Sequence, residues 1–492
     1  MTTLALAVQV LLAVPMDGRP VRFGVPLPAA AVAQGLRLRG PGQLQWRPLP
    51  AAAPPDRVWV EVAIAGAVGE ARVVAGGGPA CADGRGPAFV LARSARAVEH
   101  GRESTTRWLW NDGSVDEVVR VEFHAPVMLD GEPWAIGEAR TRWNDSGACR
   151  GHAVCDLPRR LWEAGSVLPA AGRIGEVVRR QLALAQERLV EMPGARGAGD
   201  FLRSGAVVTN LEFDTTLGLL QQALAGHDRT AFARALRCAT HLRDRDLDQR
   251  TGLPFAHGPD HRTGVPVPGH AWLRGLLLAG LLATDDGLIA AAGSIARALA
   301  SSPPLGEGHN ELARDYAWPL EELEAWLACS PDPVVAAAAN RLAIAIDRRF
   351  DPQCRVFRFG EGEIGDGSYL ERGWITGGIV LPALQLHLAR RPDPALQEHV
   401  RQVQQALLDQ IGAGRPGLPT HWRTAGGRTF AEHRAQGDPR GLLLLEGLDP
   451  RDLRRLARRE SFRDCIAEVP RLDDVDLPTT WSMVARCRWV WR

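Results

Sequence analysis

Three histidines lie close together in the stretch from His257 to Asp286. His257, His261 and His270 fall in a segment that glycine and proline interrupt too often for a helix or a central strand. From about Ala271 the sequence becomes apolar with helical spacing. Since imidazole changes its charge near neutral pH, such a loop can supply a general base. The alternative is that the histidines cap the helix or hydrogen-bond the loop to itself.

Polar and aromatic groups of the same kind recur in three later connections. They combine carboxylates, guanidinium groups and rings, which suits a sugar, because aromatic faces stack on the ring while charged groups fix hydroxyls or a uronate. The alternative is a solvated or salt-bridged surface for the carboxylates and core packing for the rings. The candidates in these connections are Glu311, Arg314, Asp315, Tyr316, Tyr369, Arg372, Trp374 and His421.

The composition limits which groups can move protons or bind anions. The chain has two tyrosines, so Tyr316 and Tyr369 are the phenol candidates. It has no lysine, so every basic side chain is an arginine, which grips carboxylates in a bidentate manner. This excludes a lysine base or Schiff base. The net charge of +1 argues against nucleic acid as a bulk electrostatic partner.

The metal-ligating residue types show no recognised spacing. The eight cysteines form no CxxC pair, and the three loop histidines match no specific ligand signature. We therefore expect no metal and no cofactor, with a metal bound by these three histidines, or Ca²⁺, as the alternatives. Scattered thiols favour a reduced, cytoplasmic setting, secretion being the alternative. The apolar start of the chain lacks a basic segment and is interpreted as a first strand, and no stretch is long enough to span a membrane.

Residues 1–170 have the pattern of an all-β domain. Short runs rich in valine, isoleucine and tryptophan alternate with glycine, proline and aspartate turns, which is typical of a sandwich or barrel. Residues 171–205 are predicted to form a linker helix and a glycine-rich connection. The tail, 461–492, alternates again and is predicted to be β.

Residues 206–460 are predicted to form an (α/α) toroid. Short turns containing aspartate recur every 50 to 60 residues, about the length of two helices. The longer connections at 245–270, 301–310, 351–372 and 412–437 fall between them and carry most of the candidate residues. An open solenoid would give the same repeat. The individual character of the long connections favours a closed ring with one functional rim.

The sequence also resembles a known family. RPVRFGVPLP at 19–28 and WLWNDGSV at 108–115 resemble the β domain of the YetA-like proteins and exo-acting rhamnogalacturonan lyases, and GHAWLRGLL at 269–277 is similar to their helical toroid. The pattern Gly-Asp, Asn-x-x-x-Asp and a helix-ending histidine also matches. Arg274 stands where the family usually has glutamate. The resemblance implies a substrate-binding or catalytic role for Asn210, Asp214, His257, His261, His270 and Trp272.

These observations favour a carbohydrate-active enzyme, first of all a polysaccharide lyase that breaks an acidic glycan by β-elimination. His257 or His261 would remove the proton, Tyr316 or Tyr369 would protonate the leaving oxygen, and Arg314 or Arg372 would neutralise the uronate. A glycoside hydrolase that uses Glu311, Asp315 and neighbouring carboxylates is the second hypothesis. A non-catalytic glycan-binding protein is the third. The expected partner is an oligo- or polysaccharide, and the sequence does not indicate an oligomeric state.

Overall fold

The protein is described here from a computed structural model. It describes residues 10–17, 21–39, 42–49, 56–65, 68–76, 93–99, 102–108, 119–123, 127–129, 132–134, 137–141, 152–169, 175–191, 200–202, 211, 213–248, 250–255, 266, 268–302, 313–359, 363–364, 368–412, 418–426, 428–433, 440–459, 462 and 477–491. The chain divides into two compact units. The first contains Met1–Pro50, Pro54–Leu157 and Leu281–Gly287, and the second contains Ala51–Ala53, Pro158–Gly280 and Leu288–Arg492.

The described part of the first unit is rich in short antiparallel strands. Two three-stranded sheets have the orders β1–β6–β3 and β2–β5–β4, and the other pairs are β7–β8, β9–β12 and β10–β11. Glu61, wholly buried on β5, bonds the guanidinium groups of Arg22 on β2 and Arg47 on β4. The strand bounds are Val10–Asp17 (β1), Val21–Pro28 (β2), Leu36–Arg39 (β3), Gln43–Pro48 (β4), Arg57–Ala65 (β5), Val68–Ala75 (β6), Arg93–Glu99 (β7), Arg102–Trp108 (β8), Val119–Phe123 (β9), Val127–Leu129 (β10), Glu132–Trp134 (β11) and Gly137–Thr141 (β12), with one short helix, Ala29–Ala33 (α1).

The second unit is built mainly from helices in pairs. Its first helices are Arg159–Ala164 (α2), Glu176–Gln186 (α3), Thr215–Gly226 (α4), Arg229–His241 (α5), Arg274–Ala283 (α6), Asp286–Ser301 (α7), Ala313–Leu327 (α8) and Pro333–Asp347 (α9). The last residues of α6 and the first of α7 fall within Leu281–Gly287, which is grouped with the first unit. They are followed by Gly373–Ile375 (α10), Leu381–Arg390 (α11), Pro394–Gly412 (α12), Arg440–Leu443 (α13), Pro450–Leu456 (α14) and Leu477–Ala485 (α15). Two π-helical turns, Leu242–Asp246 and Thr376–Val380, extend α5 and join α10 to α11.

Every second helix of this unit is buried on nearly all sides and belongs to an inner layer. Ten of the twelve residues of α4 are buried, whereas α5 buries one stripe. In the described chain the inner helices are α4, α6, α8, α10 with α11, α13 and α15. The helices between them form the outer layer.

The inner helices close into a ring through contacts between neighbours. The Asp214 carboxylate before α4 accepts a bond from the Gly275 amide of α6 at 2.9 Å, and Glu322 of α8 accepts from the Arg274 amide at 2.8 Å. Further round, a Cβ on Gly447 would lie 2.4 Å from the Gly377 carbonyl oxygen. The hydroxyls of Thr215 on α4 and Ser482 on α15 are 2.7 Å apart, so the first and last inner helices meet. These contacts describe a closed ring, as predicted, and not an open solenoid.

Aspartates cap the outer helices at the short turns, as their spacing predicts. Asp228, Asp332 and Asp449 each accept a bond from an amide of the first turn of α5, α9 or α14. Such a side chain satisfies a donor that has no partner within the helix. The short turns therefore lie at the C-terminal ends of the inner helices, and the long connections lie at their N-terminal ends. We call this second end the loop rim.

Two parts of the predicted domain organisation need correction. The tail is helical where it is described, because Leu477, Trp481 and Val484 recur at helical spacing and Pro478 fits the first turn; it supplies α15 and a 3₁₀ turn at Arg488–Trp491. The predicted linker helix, α3, belongs to the ring, since the Trp481 indole donates to its Leu182 carbonyl at 3.0 Å. Among the described residues, no helix combines the length and the apolarity needed to cross a bilayer.

Candidate functional site at the loop rim

Part of the predicted site lies outside the described residues. This is true of Asn210, His257, His261 and Glu311, and of the side chain of Tyr369. Their roles stay predictions. The other candidates lie on the inner helices, directly before them, or on the strands beside them.

The third and fourth long connections meet in one sheet. Its strands are Glu363–Ile364 (β15), Ser368–Glu371 (β16), His421–Ala425 (β17) and Arg428–His433 (β18), in the order β15–β16–β17–β18. Tyr369 pairs with Thr424 in register, and His421, whose ring lies 3.1 Å from the Thr420 hydroxyl, pairs with His433. The strands that carry Tyr369 and His421, about 50 residues apart in sequence, are therefore neighbours. A separate hairpin, Phe350–Asp351 (β13) with Val356–Phe357 (β14), precedes this sheet.

The first and second long connections also meet, at the start of α8. Gly269 lies so close to Asp315 that a Cβ would fall 2.4 Å from the carboxylate oxygen Oδ1. His270 follows in the same 3₁₀ turn and is buried. The Asp315 and Arg314 side chains are half-buried, whereas Arg372, on the connection before α10, is exposed. Carboxylate, imidazole and guanidinium groups thus share the loop rim.

Tyr316 forms a close group with an arginine that the sequence did not single out. The Arg349 guanidinium donates a hydrogen bond to the Tyr316 hydroxyl oxygen at 3.2 Å and lies 4.9 Å from the centre of the phenol ring. Phe359 packs against both, its ring centre 6.1 Å from that of Tyr316. Burial lowers the pKa of Arg349 from its ordinary value. Arg349 follows α9, some 30 residues from Tyr316, so only the pairing of α8 with α9 brings the two together.

Two tryptophans predicted to bind a ligand are part of the core. Trp272 is 1 % exposed and its ring centre lies 4.7 Å from that of Trp318, in an edge-to-face arrangement that includes Phe213. Trp374 is 8 % exposed. Because a sugar needs an open ring face for stacking, the position of Trp272 indicates packing instead. Among the described residues, none accepts a bond from the indole nitrogens of these three tryptophans.

Asp214 also has a structural position. It adopts a left-handed conformation, with φ of 54°, and caps α4 by accepting the Leu217 amide at 3.1 Å, while its other oxygen accepts the Gly275 amide. Burial raises its pKa, which the Arg486 charge and these amides partly offset. The described contacts of this carboxylate join two helix ends.

Behind the rim, charged side chains fill the axis of the ring. Glu321 of α8 bonds Arg274 of α6 and also accepts from Arg486, after α15, at 2.6 Å. Arg274 therefore has a carboxylate partner within the ring. Burial and the neighbouring Asp214 and Glu321 charges raise the pKa of Glu322 to about 8. Among the described residues, none donates to its second oxygen, Oε1.

The remaining space on the axis is small. A cavity of about 10 Å³ is left there, which is roughly the room that one water molecule needs. Its lining comes from α6, α8, α13 and α15 and from the π-helical turn between α10 and α11, and it includes Arg274, Trp318, Glu321 and Arg486. A sugar ring cannot enter this space as it stands.

A second buried cluster lies at the end of α5. The Nε2 atom of His241 is 3.4 Å from an Asp200 oxygen and 3.3 Å from an Asp246 oxygen, and all three side chains are buried. Burial opposes the charged imidazole, but the two carboxylates raise the pKa of His241 to about 10. Asp200 and His241 belong to the family resemblance, whereas Asp246 did not stand out in the sequence.

Comparisons with known proteins give distant structural similarities. No protein-family model matches the chain, and no curated protein sequence matches it. A cellobiose 2-epimerase from Bacillus thermoamylovorans matches with a TM-score of 0.43 and 10% identity, over 60% of this chain and 86% of its own. An inactive α-1,6-mannanase variant of Salegentibacter sp. in complex with α-1,6-mannotetrose matches with a TM-score of 0.42 and 12% identity, over 65% of this chain and 100% of its own. A polysaccharide lyase matches with a TM-score of 0.43 and 12% identity, over 64% of this chain and 96% of its own.

Proposed function

We propose that the protein is a polysaccharide lyase that cleaves a uronate-containing glycan by β-elimination at the loop rim. The observation that carries this proposal is the pair of Tyr316 and Arg349. The resemblance in sequence makes rhamnogalacturonan the first glycan to test. On the same resemblance we propose that the strand-rich first unit is a β-sandwich. At TM-scores below 0.5 the structural similarities add no weight.

β-Elimination breaks the C5–H and C4–O bonds of the uronate and forms a C4=C5 double bond, without adding water. Tyr316 is suited to protonate the leaving oxygen. Its hydroxyl oxygen already accepts a bond from Arg349, so its own proton is directed elsewhere. After the transfer, the guanidinium stabilises the phenolate by a charge-assisted hydrogen bond. The side chain is 5 % exposed, which keeps bulk water from that phenolate.

The other roles follow the chemistry of the rim. The exposed Arg372 would pair with the uronate carboxylate, which makes the C5 proton more acidic. His257 or His261 would remove that proton as a neutral imidazole. Replacing His261 with alanine is therefore expected to abolish turnover while the protein stays folded, as circular dichroism can verify.

Product analysis distinguishes this proposal from its rivals. Incubation with pectic and glycosaminoglycan oligomers should yield an unsaturated uronate that absorbs in the ultraviolet. The half-buried carboxylate of Asp315 favours a hydrolase as the second candidate, which would give new reducing ends without that chromophore. Binding without any product would identify a glycan-binding protein.

Variants of Tyr316 and Arg349 then test the proposed role of this pair directly. Tyr316→Phe should lower turnover by about 10²- to 10⁴-fold, the usual contribution of a general acid. Arg349→Gln should lower it in the same direction. Arg348→Gln is the matched control, because Arg348 is the exposed neighbour of Arg349. Full turnover in folded Tyr316→Phe protein would remove Tyr316 from the mechanism.

A further inference from the structure

We propose that Asp200, His241 and Asp246 form a binding site for one divalent transition-metal ion, separate from the loop-rim site. His241 ends α5, Asp246 ends the π-helical turn that follows it, and Asp200 precedes the isolated bridge between Phe201 and Glu191. Each residue offers one ligand atom, and the three atoms lie within 4.8 Å of one another.

The distances fit a metal better than they fit hydrogen bonds. A charge-assisted N–H···O bond is about 2.7–2.9 Å long, and the two distances from His241 Nε2 are 3.4 and 3.3 Å. Tetrahedral zinc has ligand distances of about 2.0–2.1 Å, which places neighbouring ligand atoms about 3.3–3.4 Å apart. In addition, an N–H group shared between two acceptors makes two weak bonds, whereas a metal between the three atoms contacts all of them directly.

The charges agree with this interpretation. Asp200 and Asp246 are wholly buried and His241 is 4 % exposed. Two buried carboxylates and a neutral imidazole carry a charge of −2 among themselves, which matches the charge of one divalent cation. The metal takes the place of the proton on Nε2, and that proton leaves to solvent. Since the set includes an imidazole, a first-row transition metal suits it better than Mg²⁺ or Ca²⁺.

The position suggests a structural role for the metal. The backbone oxygen of Asp246 accepts a bond from the Phe255 amide at 2.9 Å, and Leu247 bridges to Pro254. The cluster therefore lies at the base of the connection that carries His257 and His261. Metal binding would fix Asp246, and through its backbone bond Phe255, to the end of α5, and this inference does not depend on the proposed lyase activity.

The test measures metal content and zinc affinity. The purified full-length protein should contain about one equivalent of a transition metal per chain by mass spectrometry. After removal of metal by a chelator, it should bind one Zn²⁺ in a calorimetric titration and should not bind Mg²⁺. Asp246→Asn should weaken zinc binding at least tenfold. Asp244→Asn, an exposed aspartate of the same π-helical turn, is the matched control and should bind as the parent protein does.

Cobalt provides a readout that needs no variant. Co²⁺ added to the chelator-treated protein should give the intense visible absorption of tetrahedral coordination, and Zn²⁺ should displace it. Absence of zinc uptake by the parent protein would overturn the proposal, as would equal zinc affinities of folded Asp246→Asn and Asp244→Asn. If Asp246→Asn does not fold, Asp200→Asn takes its place, with the same expected tenfold loss.

Discussion

At the scale of single residues, Glu322 departs from ordinary carboxylate behaviour. One oxygen accepts the amides of Leu273 and Arg274, both at 2.8 Å, and the side chain is fully buried beside two further carboxylates. Arg274 and Arg486 supply two positive charges against the three negative charges of Asp214, Glu321 and Glu322. A protonated Glu322 balances this group, which explains why burial and its neighbours raise its pKa to about 8.

This pKa predicts how stability changes with pH. Below about pH 4.5 Glu322 is protonated in both states; between there and about 8 the unfolded chain releases the proton while the native state keeps it. The native state thus binds more protons, so the free energy of unfolding falls as pH rises through this window. Since one pKa unit corresponds to about 1.4 kcal/mol, the effect is a few kcal/mol. Urea unfolding at pH 5 and pH 8 measures it.

Glu322→Gln supplies the matching control, because glutamine resembles the protonated acid. The variant should lose this part of the pH dependence. The difference between its free energy of unfolding and that of the parent protein should therefore be more favourable to the variant at pH 8 than at pH 5. A parallel pH profile of the two proteins would contradict the assignment of a raised pKa to Glu322.

At the scale of elements, the inner helices approach one another at glycines. Gly275→Ala should destabilise the ring, because a Cβ there would lie 2.2 Å from Asp214 Oδ1 and 2.5 Å from the Leu217 amide nitrogen. The expected cost is about 1–3 kcal/mol of unfolding free energy, as for overpacking elsewhere. Denaturant unfolding at neutral pH is the measurement.

Gly226→Ala is the control for this prediction. It is also a helical glycine, at the end of α4, but nothing lies within 4 Å of its Cβ position. Alanine there should leave stability unchanged or raise it by about 0.5–1 kcal/mol through lower backbone entropy in the unfolded chain. Equal effects of the two substitutions would contradict the close approach of α4 and α6.

The elements that the sequence predicts well are those with local causes. The Asp-containing turns and the alternation of short and long connections depend on neighbouring residues, and Asp228 and Asp332 cap helices as expected. The partners of Glu321 could not be predicted in this way, because Arg486 is 165 residues away and is brought near only when the ring closes. The helical tail was missed because its alternating tryptophans suggested strands, whereas Leu477 and the run from Trp481 to Ala485 are buried, as in the other inner helices.

At the scale of the whole ring, stability depends on the contact between its first and last helices. Trp481 of α15 is wholly buried and bonds α3 through Leu182. Trp481→Ala should therefore cost about 3–5 kcal/mol of unfolding free energy, as large-to-small core substitutions do. Thermal and denaturant unfolding followed by circular dichroism would measure it.

The comparison for Trp481 comes from the outer layer. Val334 on α9 is 60 % exposed, so Val334→Ala should change the unfolding free energy by less than about 0.5 kcal/mol. If Trp481→Ala were as mild as Val334→Ala, α15 would not be needed to close the ring.

The meeting of α4 and α15 has a consequence for synthesis in the cell. These helices are separated by 250 residues, from Gly226 to Leu477. At roughly 5–20 residues per second, a ribosome needs about 13–50 s to make that stretch. During this time the apolar surface of α4 lacks its contact with α15 and is exposed to other nascent chains. Efficient production should therefore depend on chaperones that shield this helix until translation has passed α15.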